Sequence, residues 1–360
     1  MHNRPYNFSA GPSMLPDAIL KEVQRELLNW QGTGKSVMET GHRTEAIKSL
    51  MNEAQDDLRA LLKIPSEYHV LFIPAPARMQ FSMIPMNLLQ NNRVGAYWVS
   101  GIWSELAFNE AKKIADACCV GSSKANEFTK VPELHLSAAP DNTAYVYFTP
   151  NETINGVKVP VPMVNMPLIA DMTSCLLTEP INVRDYGLIF AGAQKNISIP
   201  GLTVVILHND ILANHHNKPL PTMMDYQTHI AHKSLYATPP VFNCYIAHKM
   251  FQWIKTQGGV DALFMMNQLK ARRLYEFIDE SSFYHGSVDE KARSIVNVCF
   301  KLINKELEDN FAKQAEQQGL LALKGHRTVG GLRASLYNAM PMEGVEALIQ
   351  FMHRYAKEHS

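Results

Sequence analysis

The stretch Leu188-Ile189-Phe190-Ala191-Gly192-Ala193-Gln194-Lys195-Asn196 decides how the rest of the chain is read. Its apolar half has the length and composition of a buried strand, and Gly192 turns the chain so that Lys195 stands between two amides. A lysine there either snorkels into water, as most lysines do, or is held as a reactive amine. Upstream, the apolar run Pro167-Leu168-Ile169-Ala170-Asp171 ends in an acid followed by Met172-Thr173-Ser174. An aspartate at one strand tip and a lysine at another suit pyridoxal phosphate. The amine forms the Schiff base, and the carboxylate pairs with the pyridinium nitrogen to keep the ring an electron sink.

Working outward, strand-like segments recur at 70–73, 94–99, 144–148, 167–171, 187–191 and 202–207, with helical patterns between several of them. This alternation predicts an α/β domain with a mostly parallel sheet and its site at the strand ends. A first helix is expected from Pro16 to Gly32, lined by Ile19, Leu20, Val23, Leu27 and Leu28. Thr44 suits the cap of a second, with Ile47, Leu50, Met51, Ala54, Leu58 and Leu61 as its apolar stripe. A further helix is expected over 103–117, and 122–142 reads as a long irregular loop. From about residue 260 the pattern becomes α+β: helix 260–280, strand 294–300, helix 304–318, strand 331–337 and a last helix from Glu343. The expected organisation is an arm (1–15), a large domain (16–259) and a small C-terminal domain (260–360).

At 360 residues the chain can bury a substantial core, and its 46% hydrophobic and 19% charged residues are those of an ordinary globular protein. Lysine plus arginine equals aspartate plus glutamate, 34 each, so nothing points to nucleic acid or an anionic membrane as partner. Five scattered cysteines without metal-ligand spacing suggest free thiols in a reducing compartment. The polar N-terminus lacks the apolar core of a signal peptide, and no run approaches a membrane span. A cytoplasmic protein is expected.

Neither GxGxxG after a strand nor GxxxxGK[ST] is present. Two Gly-His-Arg triplets stand out instead, Gly41-His42-Arg43 and Gly325-His326-Arg327, the second followed by Arg333 at the head of Ala334-Ser335-Leu336-Tyr337. Arginine binds carboxylate or phosphate in bidentate fashion, although a single arginine is more often a solvated charge. Arg333, entering an apolar strand, would be costly without an anion. Trp103 is either a core aromatic or a flat face for a cofactor ring, and Thr153 either a turn residue or a hydroxyl offered to a cofactor.

These residues carry a family resemblance along nearly the whole chain. Asn7-Phe8-Ser9-Ala10-Gly11-Pro12, Asn151-Glu152-Thr153, the stretch 186–196, Thr238-Pro239-Pro240 and the stretch 325–340 resemble the phosphoserine aminotransferases, class V members of the fold-type I pyridoxal-phosphate enzymes. The resemblance implies pyridoxal 5′-phosphate as cofactor, with Lys195 as Schiff-base lysine and proton-transfer base. Asp171 would pair with the pyridine nitrogen, Trp103 would stack on the ring, and Thr153 would bond its phenolic oxygen. Thr173, Gln194 and the backbone of Ala77 and Arg78 would face the cofactor phosphate, with Thr238 contributed by a second subunit. His42, Arg43, Arg78, His326 and Arg327 would hold the substrate's phosphate or distal carboxylate, and Arg333 its α-carboxylate. The implied partners are L-glutamate and a phosphorylated 2-keto acid, 3-phosphohydroxypyruvate, in a homodimer whose sites are completed across the interface. Serine biosynthesis is the pathway the resemblance implies, with vitamin B6 synthesis as a second use.

The chain departs from the family pattern around the phosphate. Pro74-Ala75-Pro76-Ala77-Arg78 replaces a glycine-rich run, Ala237 stands before Thr238-Pro239-Pro240 where the family has asparagine, and Ser198-Ile199 replaces Gly-Pro. Pro76 has no N–H to offer, and one lost charge-assisted hydrogen bond costs about 1.5–3 kcal/mol. Weaker cofactor retention than usual is therefore predicted. A transaminase of shifted substrate choice and a non-catalytic paralogue of the same fold are the alternatives.

Overall fold

The computed structural model describes residues 4–90, 92–212 and 219–359; Met1, His2 and Asn3 of the arm lie outside them. The chain begins with β1 (Tyr6–Asn7), α1 (Asp17–Glu26), α2 (Glu45–Leu62), β2 (Tyr68–Ile73), α3 (Gln80–Leu88), β3 (Val94–Val99), α4 (Ile102–Ala111) and β4 (Ala117–Ser122). It continues through β5 (Thr143–Phe148), the small hairpin β6 (Asn151–Glu152) and β7 (Val157–Lys158), β8 (Leu168–Asp171), β9 (Leu188–Gly192) and β10 (Thr203–His208). After α5 (Tyr226–Ala231), α6 (Val241–Thr256) and α7 (Gly259–Glu280) come β11 (Tyr284–Gly286), β12 (Asn297–Leu302), α8 (Glu308–Gln317), β13 (Leu320–Leu321), β14 (Leu332–Ser335) and α9 (Met342–His359).

Seven strands form the central sheet in the order β2-β10-β9-β8-β5-β3-β4. Only β10 runs against its neighbours, so the sheet is mostly parallel as expected. Period-2 alternation sends residues of one strand to opposite faces. Val70, Phe72, Ala96, Trp98, Ile189 and Ala191 pack in one core, while Leu71, Ile73, Tyr97, Val99, Leu188 and Phe190 pack in the other. Both faces are covered, which explains why the strands read as unbroken apolar runs.

A third core joins the sheet β11-β12-β14 to α7, α8 and α9, around Leu274, Phe300, Phe311, Leu348 and Phe351. The arm belongs to it as well: Phe8 is fully buried there, and β1 pairs in parallel with β13.

Local chemistry sets the element ends. The Thr44 hydroxyl accepts from the Ile47 N–H, as the cap reading requires, and Lys63 ends α2 in the left-handed conformation at φ 52°. Several expected bounds need correction. α1 stops at Glu26, and Leu28 is 83% exposed, because Trp30 in the following turn fills the core instead. The helix expected over 103–117 stops at Ala111, since Ala117 starts the edge strand β4. The strand expected from 294 begins at Asn297, because the Ser294 hydroxyl takes the amides of Val296 and Asn297 in a turn. Asn304 caps a tight turn ahead of α8, delaying that helix to Glu308. Residues 122–142 do form an irregular crossing with two short helical turns. Among the described residues no helix is long and apolar enough to cross a membrane.

Candidate active site

The parallel strands β2, β3, β5, β8 and β9 deliver their C-terminal ends to one side of the sheet, the edge where open α/β sheets bind ligands. Beyond those ends lie Ala77 and Arg78, Trp103, Thr153, Asp171 and Thr173, and Gln194 and Lys195. All eight line one cavity of about 230 Å³. The loops forming it meet closely at Gly192. A Cβ there would lie 2.6 Å from Gln194 Oε1 and 2.9 Å from the Ala77 Cβ, so a bare backbone is required.

Lys195 is buried, and its Nζ donates to Thr153 Oγ1 at 2.6 Å. Burial lowers its pKa from the ordinary 10.5 to about 8, with the Asp171 charge opposing the shift and Arg333 adding to it. Asp171 is buried too, and burial raises its pKa. Its bonds to Thr173, among them the Thr173 N–H to Oδ1 at 3.0 Å, and the nearby amine pull the other way. The Thr173 hydroxyl accepts from the Gly192 N–H at 3.1 Å, tying the acid's strand tip to the lysine's. Ala77 and Arg78 open the helical turn that continues into α3, so their N–H groups precede any intrahelical acceptor.

Arg333 stands in β14, and its guanidinium donates to the Thr153 carbonyl at 3.1 Å. One short segment therefore receives the lysine through its hydroxyl and the arginine through its carbonyl. Arg78 lies over the Trp103 ring, 5.3 Å from its centroid. Arg43, Arg78, Arg327 and Arg333 form no ion pair among the described residues, which leaves their charge for an external anion. His326 is close enough to Arg327 and Arg333 that burial and then those two charges lower its pKa. His42 and Thr238 are not brought to Lys195 within the chain. They share a separate surface depression with Met38 and Pro240, and Arg43 follows His42 on an exposed turn.

Several participants have no assigned role in the sequence reading. Ser13 donates its hydroxyl to the Lys195 carbonyl, and its N–H bonds the Gln194 carbonyl at 3.0 Å, so the arm clasps the lysine's backbone. The Asn151 amide bonds Ser174 at 2.7 Å and Asn297 at 2.8 Å, and Asn297 bonds Ser335 at 3.0 Å. That buried chain links the large sheet to the strands carrying Arg333. Glu152 accepts from the start of α4, beside Trp103. The Asn-Glu-Thr triplet is the signal that could have drawn attention to this turn. One departure from the family pattern is built in: Ser198 donates to the Asn243 carbonyl at 2.7 Å, and the Asn243 amide donates to the Pro200 carbonyl at 2.7 Å.

The residues present fit pyridoxal phosphate. A buried amine of lowered pKa faces a buried carboxylate across a cavity walled by an indole, with the first N–H groups of a helical turn at one end. The profile of the class-V aminotransferases matches residues 5–348. The chain is 56% identical over 361 residues to the phosphoserine aminotransferase of Legionella pneumophila strain Corby, covering all of both. It superposes with a TM-score of 0.95 on the phosphoserine aminotransferase of Bacillus circulans subsp. alkalophilus, at 43% identity and 99% coverage of each chain. The PLP-bound phosphoserine aminotransferase of Trichomonas vaginalis gives 0.92 at 37% identity, covering 97% of this chain and 100% of that one.

Proposed function

The chain belongs to the class-V aminotransferases, among the phosphoserine aminotransferases, and from that membership we propose that it exchanges the amino group of L-glutamate with 3-phosphohydroxypyruvate. The products are O-phospho-L-serine and 2-oxoglutarate, as serine biosynthesis requires. The observation that carries this reading is the buried Lys195 facing Asp171 in a cavity lined by Arg78, with Arg333 bonded to the Thr153 carbonyl beside it and neither arginine ion-paired among the described residues.

Pyridoxal 5′-phosphate, when bound, supplies the electron sink that makes the Cα proton of an amino acid removable. The chain's own residues do the rest. Lys195, with a pKa near 8, is poised to take a proton and return it at near-neutral pH. Asp171 would hold the ring nitrogen, Trp103 the ring face and the Thr153 hydroxyl the phenolic oxygen. Thr173, Gln194 and the N–H groups of Ala77 and Arg78 would hold the phosphate. Arg333, fixed against the Thr153 carbonyl, presents its remaining N–H groups to an α-carboxylate. Arg78, His326 and Arg327 would take the phosphate or distal carboxylate, so one anion pocket serves both substrates.

His42, Arg43 and Thr238 enter the reading through a second copy of the chain. That His42 and Thr238 line a depression separate from the Lys195 cavity supports a symmetric homodimer in which each subunit completes the other's site. The scattered, free cysteines support a cytoplasmic setting.

The test begins with the absorption spectrum of protein saturated with the cofactor, beside Lys195→Ala. A lysine-dependent visible band that L-glutamate shifts, and that 3-phosphohydroxypyruvate restores better than unphosphorylated keto acids other than 2-oxoglutarate (which restores it by reversal of the glutamate step), is the expected result. Equal restoration by pyruvate or hydroxypyruvate, which lack the phosphate, would refute the substrate assignment. Absence of any lysine-dependent band would refute the whole reading.

A further inference from the structure

Glu152 is fully buried, and no lysine, arginine or histidine pairs with it among the described residues. A carboxylate so placed is costly unless its oxygens are well bonded. The donors come from the start of α4. Oε2 accepts from the Trp103 N–H at 3.0 Å, and Oε1 from the Ser104 N–H at 2.8 Å and the Ser104 hydroxyl at 2.6 Å. These are amides that a helix leaves without internal acceptors.

A helix start is usually satisfied by a side chain at the cap position. Here that position is Gly101, which has none, and it could not have one. A Cβ on Gly101 would fall 2.3–2.6 Å from atoms of the Glu152 side chain. The cap is thus supplied from β6, about fifty residues along the chain, and the exit of β3 lies flush against it. The Ser104 hydroxyl also receives the N–H groups of Ser100 and Gly101, each at 3.0 Å, closing the turn around the carboxylate.

A remote cap does something a local one cannot: it fixes two loops against each other. One carries Trp103. The other carries Thr153, the next residue after Glu152, which receives the Lys195 amine and the Arg333 guanidinium. We propose that Glu152 is a positioning residue that sets the gap between the Trp103 ring and the Thr153–Lys195 pair, and so the slot a planar cofactor ring must fill. The inference rests on the functional reading above, in which that slot holds pyridoxal phosphate.

Glu152→Gln keeps the shape but removes the charge and replaces one acceptor oxygen with a donor facing other donors. Glu152→Ala removes the cap entirely. Ser104→Ala, which deletes only the hydroxyl donor, serves should Glu152→Ala not fold. Two readouts are used: hydrogen exchange at the Trp103 and Ser104 amides without cofactor, and the visible circular dichroism of added pyridoxal phosphate. The Gln variant should exchange at those two amides about tenfold faster, the effect of losing a cap. Its visible dichroism should fall while the lysine-dependent band persists. Alanine should exceed glutamine in both.

Leu348→Ala, in the third core away from the site, controls for general loosening and should leave the dichroism unchanged. Wild-type exchange and dichroism in Glu152→Gln would overturn the proposal, as would an equal loss of dichroism in Leu348→Ala. Either result, with the wild-type band intact, leaves the functional reading standing. A wild-type protein lacking the lysine-dependent band would bring down both.

Discussion

Replacing Lys195 with methionine should stabilise the cofactor-free protein, by an amount that shrinks as pH rises. The unfolded amine keeps its proton up to about 10.5, whereas in the folded site it is released near 8. Between those values the unfolded state binds more protons, so stability rises with pH through this window, and below about 8 the full penalty applies. At about 1.4 kcal/mol per unit, the shift corresponds to about 3 kcal/mol near pH 7, falling to about 1 kcal/mol near pH 9.5. Methionine fills similar space without a charge. Losing the bond to Thr153 adds an offset that does not vary with pH in this range. Urea unfolding of both proteins without cofactor, near pH 7 and near pH 9.5, gives the difference at each. The advantage of Lys195→Met should narrow by about 2 kcal/mol across the interval. A pH-independent difference, or one that widens, would show that the amine is not held against its desolvation and would remove the ground for its near-neutral basicity.

Other consequences are equally open to test. Gly192→Ala should weaken pyridoxal phosphate binding by about tenfold or more, because its Cβ would press on Gln194 and Ala77; an unchanged dissociation constant from a cofactor titration would contradict the close-packed slot. Arg333→Ala should lower kcat/KM for both amino and keto acids by about a hundredfold, the cost of losing a charged hydrogen-bonded partner of about 3 kcal/mol, while leaving the absorption of bound cofactor in place. A loss confined to one substrate in steady-state assays would show that Arg333 does not hold the shared α-carboxylate. Mixing inactive His42→Ala and Lys195→Ala proteins under conditions that exchange subunits should restore activity, up to about a quarter of the wild-type sites. Continued inactivity of verified mixed dimers would show that His42 does not serve the partner's site.

The parts of this site that sequence made legible are those governed by local rules. A buried strand running into Gly192 and Lys195, or one ending in Asp171, carries its periodicity and its turn in a few residues, and both strands fall within about one residue of the expected places. β4 was illegible because an edge strand needs only one covered face and the run Ala117-Cys118-Cys119-Val120 lacks β-branched residues, apart from Val120, to mark it. Trp30 displaced Leu28 from the core through a turn that no helical period describes.

Non-local satisfaction was harder to see. The start of α4 does carry a faint signal: a helix opening at Gly101, with no capping side chain of its own, implies that some distant acceptor must meet its first amides. Nothing local says that the acceptor is Glu152. Asp171 and Glu152, the two buried acids near the cavity, are nevertheless distinguishable by what surrounds them. Asp171 lines the cavity and faces a lysine, and its strand-tip position exposes it to whatever fills the slot. Glu152 spends both oxygens on the start of α4, which holds its burial-raised pKa to about 7. A pair of carboxylates in one active-site wall would ordinarily suggest acid–base partners. Here the hydrogen bonds separate them, one available to a cofactor and the other committed to holding the wall in place.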